Sequence, residues 1–298
     1  MSPDRPPTLD PRAAARWARL VAPQPPWLHE EVGRRMEPRL GWITRAPRTW
    51  VHWEPWRGGM ETHAALLRRY PAATVHIVES SAQAQAQVQQ RLRGRWWQPQ
   101  AWRTPPHRWT PPPEGGVDLL WSNMGLHAHP EPQALLQHWS RLLSPDGFLM
   151  FSCFGPDTLR ELRALHEAEG WPPPAQAYTD MHDWGDMLVH SGFAEPVMDM
   201  ERITLAFPTA ERLLEELRGL GRNLHGDRHP TLRGRGWRTQ WLRAVTEALA
   251  NPAEGGQLTL TFEIVYGHAF KGEPRTPRSA ESVIPVTDLR RQLSQRKP

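Results

Sequence analysis

The stretch Val117–Arg163, VDLLWSNMGLHAHPEPQALLQHWSRLLSPDGFLMFSCFGPDTLRELR, constrains this chain more than any other. Val117–Asn123 is a short apolar run ending in small polar residues, the pattern of a buried parallel strand. After the His127–Pro132 loop, Leu135, Leu136, Trp139, Leu142 and Leu143 recur at helical spacing. Pro145-Asp146-Gly147 is turn chemistry, and Phe148–Cys153 is a second apolar run. Gly155-Pro156-Asp157 predicts the start of another helix, with proline just inside it. Strands alternating with helices imply right-handed crossovers and a parallel sheet. Ligands of such sheets sit at the carboxyl ends of the strands, here around Ser122-Asn123 and Ser152–Asp157.

Further elements extend this unit in both directions. Arg12–Leu20 and Trp27–Arg39 read as two helices separated by Pro23, Pro25 and Pro26. Thr49–Trp53 and Thr74–Val78 read as strands, with helices over Met60–Tyr70 and Ser81–Leu92 after them. Between Trp96 and Gly116 the chain is crowded with Trp and Pro and yields at most one short strand, near Ala101–Arg103. Downstream, Met181–Ser191 is a helix closed by Gly192, Glu195–Phe207 is extended, and Thr209 caps a helix over Ala210–Leu220. A basic connector, Gly221–Gly236, precedes a helix over Thr239–Ala250, and Leu258–His268 alternates as a strand does. This order predicts an α/β fold of the Rossmann-like, seven-stranded methyltransferase type, with the last strand inserted antiparallel. The expected divisions are a tail and helical cap (1–47), the core (48–207), a helical insert or lid (208–257), the closing strand (258–271) and a loose tail (272–298).

Composition narrows the functional classes. The 298 residues suffice for one large domain with an appendage, and the single cysteine, Cys153, excludes an internal disulfide and fits a reducing compartment. No apolar run reaches the roughly 20 residues of a membrane span, and the N-terminus lacks the apolar segment of a secretory signal, so a cytoplasmic location is expected. The formal net charge is only +4 and the arginines are dispersed, so nucleic acid is not an expected partner. Acidic partners of other kinds remain open.

The candidate cofactor site lies at the ends of the first strands. Folds that bind dinucleotides or S-adenosylmethionine place a glycine-rich turn after the first strand, where backbone must approach the ligand closely. The corresponding turn is Glu54-Pro55-Trp56-Arg57-Gly58-Gly59-Met60, giving Glu54, Gly58 and Gly59 as candidates. Glu79 ends the next strand at the spacing of an acid that holds ribose hydroxyls. Ser122 and Asn123 complete the set. His127 and His129 have no partners to complete a metal site, and no metal is expected. Asp118 reads as a strand-entry residue. Arg160 and Arg163 lie three apart on one predicted helix face and are candidates to hold a carboxylate or phosphate.

FSCFGPDTLRELR, with DLLWSNMGLHAHPEP and SRLLSPDGFLMFS, resembles the malonyl-acyl-carrier-protein O-methyltransferases of biotin synthesis. LDPRAAARWARL and WLHEEVGRRMEPRL look like that family's N-terminal cap. MHDWGDMLVHSGFAEPVMDMERITLAF looks like its next helix–strand unit, ELRGLGRNLHGDRHPTLRGR like its insert, and FEIVYGHAFK like its closing strand. The likeness runs from about Leu9 to Lys271. It implies methyl transfer from S-adenosylmethionine to the free carboxyl of malonyl-acyl carrier protein. A carboxylate is already a nucleophile and a sulfonium already an activated leaving group, so positioning and water exclusion would supply most of the rate. The resemblance also implies an arginine for the malonyl carboxylate, with Arg160 and Arg163 as candidates, and basic surface for an acidic carrier.

The turn departs from the family pattern of an acid followed by GxGxG. Glu54 keeps the acid and Gly58 one glycine, but Trp56 and Met60 stand where the other two belong. Thr104–Pro113 lacks the acid expected near the adenine, and no tyrosine follows the cap. Two readings follow: an active methyltransferase whose altered turn still closes on its cofactor, or a non-catalytic relative that binds a carrier protein or a paralogous enzyme. A third is a methyltransferase acting on another small carboxylate or acyl substrate. The second reading expects Trp56 to fill the cofactor's space.

Overall fold

The computed structural model describes residues 9–93 and 107–272. The strand expected near Ala101–Arg103 and the tail from residue 273 lie outside them. The strands are β1 (Thr49–Trp53), β2 (Thr74–Val78), β3 (His107–Arg108), β4 (Val117–Asn123), β5 (Leu143–Phe154), β6 (Phe193–Phe207), β7 (Ala250–Asn251) and β8 (Gln257–Lys271). They form one sheet in the order β3-β2-β1-β4-β5-β8-β6, with β7 paired to β8. β1 to β5 run parallel, and β8 enters antiparallel between β5 and β6. This is the expected fold, with the two-residue β7 as an addition.

Alternation along the strands builds a core on each face of the sheet. On β1 and β4, Trp50, Leu119 and Trp121 join Leu28, Val32 and Phe262 on one side. Val51 and Leu120 join Trp139, Phe151 and Trp184 on the other. Asp118 anchors the entry edge: its carboxylate accepts from the amides of Arg48 (2.9 Å) and Thr49 (3.2 Å) and from Ser144 Oγ (3.0 Å).

The helices are α1 (Pro11–Arg19), α2 (Trp27–Met36), α3 (Pro55–Gly58), α4 (Met60–Arg69), α5 (Ala82–Leu92), α6 (Pro132–Leu142), α7 (Arg160–Ala168), α8 (Met181–His190), α9 (Ala210–Leu220) and α10 (Arg235–Leu249). Ser81 and Thr209 cap α5 and α9 by accepting the amides of Ala84 and Arg212. Three expectations need correction. The second helix stops at Met36 and gives way to a tighter 3-10 turn over Glu37–Trp42, which has Pro38 in its first turn. Pro145-Asp146-Gly147 is absorbed into β5, where the register with β4 shifts between Val117 and Leu119. α7 begins at Arg160 rather than near Pro156, because Leu159 adopts a left-handed conformation (φ 58°) before it. None of the described helices is long and apolar enough to cross a membrane.

The β5–β8 contact is close at Gly267. Gly267 pairs with Phe151, and a Cβ there would clash with the Phe151 ring edge and lie 2.9 Å from Met198 Sδ. Gly267→Ala is therefore expected to cost about 1–3 kcal/mol of stability through overpacking. Urea unfolding checks this, and an unchanged midpoint would show that the ring yields without cost.

Candidate functional site

The carboxyl ends of β1, β2 and β4 bring the sequence-predicted residues together. Glu54 follows β1 with φ 52°, and its amide donates to Val78 O at the end of β2 (2.7 Å). Pro55 then fits the first helical position, and the turn winds into α3, with Gly58 N donating to Glu54 O (2.8 Å) and Gly59 N to Pro55 O (2.8 Å). Gly59 has φ 116°, a conformation that side chains rarely adopt, and a Cβ there would lie 2.6 Å from a Glu30 carboxylate oxygen. Asn123 on β4 donates through Nδ2 to His29 O (2.7 Å) and to Gly58 O, and its Oδ1 accepts from Ser152 Oγ (2.5 Å). Ser122 Oγ is buried without a hydrogen-bond partner among the described residues.

The groove these residues would offer a nucleoside is filled by the protein itself. Trp56 is 8% exposed, its amide donates to Glu79 Oε1 (2.7 Å), and its indole Nε1 donates to Ala22 O in the cap (2.8 Å). The space left beside Glu54, Trp56 and Glu79 is about 20 Å³, room for roughly one water molecule. The amino end of α4, a ready anion site in nucleotide-binding folds, is also taken. Glu30 accepts from Met60 N (2.7 Å) and Glu61 N (3.0 Å). Glu79 fits a ribose-binding acid by position, but the groove as folded does not fit S-adenosylmethionine.

A larger cavity of about 510 Å³ opens next to this groove, between the sheet edge and α9 and α10. Met124, His127 and Phe154 form its floor, and Leu162, Tyr178 and Trp241 are among its walls. Burial lowers His29 to about 4 and His127 to about 3, so these two imidazoles are neutral at pH 7. Trp241 Nε1 donates to His166 Nε2 (3.0 Å), which leaves Nδ1–H to donate to Pro172 O (2.7 Å) and ties α10 to α7. Charge enters from α9, the connector after it and α10: Arg218, Arg222, Arg228, Arg233 and Arg238 line the cavity. Arg228 pairs with Asp10 (2.8 Å); among the described residues the other four have no carboxylate within ion-pair distance. Burial and the neighbouring Arg218 charge lower the pKa of Arg222, as expected for an unpaired guanidinium held near like charge.

Arg160 and Arg163 fall outside this cavity. Arg160 is exposed and pairs with Glu161 (3.1 Å) and Asp157 (3.7 Å), and Arg163 donates to Pro156 O. Leu159, Leu162 and His166 line the cavity instead. Arg57 is the cation that sequence reasoning missed. It lines the cavity from the turn itself, and the signal for it was its place between Trp56 and Gly58. Among the described residues no cluster of three or more His, Cys, Asp or Glu could hold a metal ion.

Burial, with the Glu54 charge as a lesser cause, raises Glu79 from 4.5 to about 8, even though the Trp56 amide favours its charged form. Between those values the native state binds the proton that the unfolded chain releases. Stability from this group is thus full below about pH 4.5 and is lost as pH rises toward about 8. Glu79→Gln keeps an acceptor for the Trp56 amide without a charge. It is expected to flatten the fall in stability between about pH 5 and pH 8 seen by urea unfolding. Equal slopes in the two proteins would show that Glu79 titrates normally.

Comparison with known proteins places this geometry. Residues 58–151 match a family model described as a methyltransferase domain. The malonyl-[acyl-carrier protein] O-methyltransferase of Nitrosospira multiformis is 37% identical over 267 residues, covering 84% of each chain. That of Gallionella capsiferriformans is 34% identical over 86% of this chain and 88% of its own. Among solved structures, the YcgJ protein of Bacillus superimposes with a TM-score of 0.51 at 12% identity, covering 83% of this chain and all of that one, which supports the fold alone. With such identity sustained across most of both sequences, the chain belongs to the family of the malonyl-[acyl-carrier protein] O-methyltransferases.

Proposed function

We propose that this protein is an S-adenosylmethionine-dependent O-methyltransferase acting on the free carboxyl of malonyl-acyl carrier protein, a step of biotin synthesis, in the cytoplasm. The observation that carries the reading is the arginine-rimmed apolar cavity of about 510 Å³ at the carboxyl ends of β4 and β5, in a chain of this family. The bound cofactor would supply a methyl group already activated on a positively charged sulfur.

What the chain itself must do is correspondingly limited. A malonyl carboxylate is ionised at neutral pH and needs no base. It needs a cation to fix it, apolar walls to exclude water, and room for the arm that links it to the carrier. Aromatic side chains and neutral histidines supply the walls, and the volume falls in the range of small-molecule sites. The unpaired arginines of α9, the connector and α10 put positive charge where an acidic carrier would approach. The groove filled by Trp56 is the one observation on the side of a non-catalytic, carrier-binding relative.

Incubation with malonyl-acyl carrier protein and S-adenosylmethionine is expected to add the mass of one CH2 unit to the carrier and to leave acetyl-acyl carrier protein unchanged. Mass spectrometry of the carrier reads this directly. A folded protein that neither methylates the carrier nor binds S-adenosylhomocysteine would shift the assignment to carrier binding alone.

A further inference from the structure

Arg233 stands just before α10 and lines the large cavity. Its guanidinium lies over the Trp237 ring, 3.5 Å from the centroid. Trp237 meets Trp171 edge-on, with 4.5 Å between ring centres, and Trp171 meets His166 in the same way at 5.3 Å. His166 is bonded through both ring nitrogens, to Trp241 Nε1 (3.0 Å) and Pro172 O (2.7 Å). The stack thus rests on α7, α10 and the loop between them in space, and it holds the guanidinium plane in one orientation.

What the stack leaves free is the edge of that plane, which carries the five N–H donors. Among the described residues no carboxylate lies within ion-pair distance of Arg233, and no acceptor takes a hydrogen bond from its guanidinium. Burial lowers its pKa, as befits a cation without a counter-charge. The other cations of the cavity are placed differently. Arg228 pairs with Asp10 (2.8 Å), Arg57 has Glu54 at 3.9 Å, and Arg222 donates to Gly221 O (2.7 Å) and Arg218 O. Arg218 and Arg238 are exposed and, among the described residues, lie over no ring.

The place of Arg233 suits the outer end of a long substrate. Arg233 is half-exposed, and Leu232 and Gly234 beside it are exposed, Leu232 wholly, so it borders the cavity where the cavity meets the surface. The floor, with Met124, His127 and Phe154, lies at the carboxyl ends of β4 and β5, where the reacting end of a substrate belongs. An acyl carrier presents its acyl group as a thioester on a pantetheine arm, and a phosphodiester joins that arm to the carrier. A malonyl carrier therefore brings one anion at the inner end of the arm and another at the outer end. α10 begins right after Gly234 with no acidic residue in its first turn, so its N-terminal potential has the same sign as Arg233.

We propose that Arg233, held flat on Trp237, is the seat of the phosphodiester in the carrier's pantetheine arm. This rests on the carrier reading above, and it calls for no movement of the protein and no bound cofactor. Fixing the outer end of the arm sets how far its thioester end reaches toward the floor.

Calorimetric titration of the protein with two small thioesters tests the seat. One is malonyl-phosphopantetheine, methylated on its phosphate so that it carries the single charge of a phosphodiester. The other is malonyl-pantetheine, which lacks the phosphate. The wild type is expected to bind the first about tenfold more tightly, the scale of one charge-assisted pair. Arg233→Gln is expected to erase that difference and to leave malonyl-pantetheine affinity unchanged. Arg233→Lys, which keeps the charge and loses the fork, is expected to retain part of it. The acetyl form of the phosphate-bearing thioester is expected to depend on Arg233 in the same way, since the phosphate is what Arg233 holds. A wild type that binds the two malonyl thioesters equally, or binds neither, overturns the seat. So does an Arg233→Gln variant that keeps the phosphate preference. So does one that weakens malonyl-pantetheine as much as its phosphate-bearing form, which would put the malonyl carboxylate on Arg233. Methylation of the malonyl carrier by the wild type separates the seat from the reading it rests on. A phosphate preference without methyl transfer leaves the seat and removes the chemistry; methyl transfer without a phosphate preference leaves the chemistry and removes the seat.

Discussion

The amide of Trp56 donates to a carboxylate that the sheet has pushed into a partly buried place, and this contact decides what the carboxyl edge of β1 and β2 can hold. Glu79 follows β2 because the strand ends there, and its neighbours are Glu54 and the turn that Glu54 begins. A carboxyl so placed must find a donor or keep its proton. Here a backbone N–H from the chain itself fills the role that a ribose hydroxyl would fill in a loaded site. Everything around the contact then closes: the indole reaches Ala22, Arg57 reaches α1, and Asn123 gathers the carbonyls of His29 and Gly58.

Much of this was legible in the sequence, for physical reasons that differ by element. β1, β2 and β4 coincide with their apolar runs because buried parallel strands are apolar on both faces and stop at polar residues. Glu54, Gly58, Gly59, Glu79, Ser122 and Asn123 come together because strand ends fix their positions whatever the side chains do. The helix after β5 was not legible to the same degree. A left-handed Leu159 carries no sequence signature, so the start of α7 could not be placed, and the partners of Arg160 and Arg163, the nearby Asp157, Glu161 and Pro156 O, depend on how the turn before it folds. The basic connector was visible as composition, but its arginines gather around the cavity only through the packing of α9 and α10 over the sheet edge. Arg57 escaped notice because a search for glycines in that turn attends to backbone space and passes over the side chain between them.

The division of labour across the two spaces has a simple electrostatic logic. The floor of the large cavity is apolar and its histidines are neutral, so it offers no counter-charge to an entering carboxylate. Arg218, Arg222, Arg228, Arg233 and Arg238 line the cavity from α9, the connector and α10, and Arg57 lines it from the turn after β1. Positive charge thus reaches one cavity from two parts of the chain far apart in sequence, and in an apolar lining those cations set the sign of what can enter. Glu54, 3.9 Å from Arg57, is within ion-pair distance of one of them but stops short of a hydrogen bond.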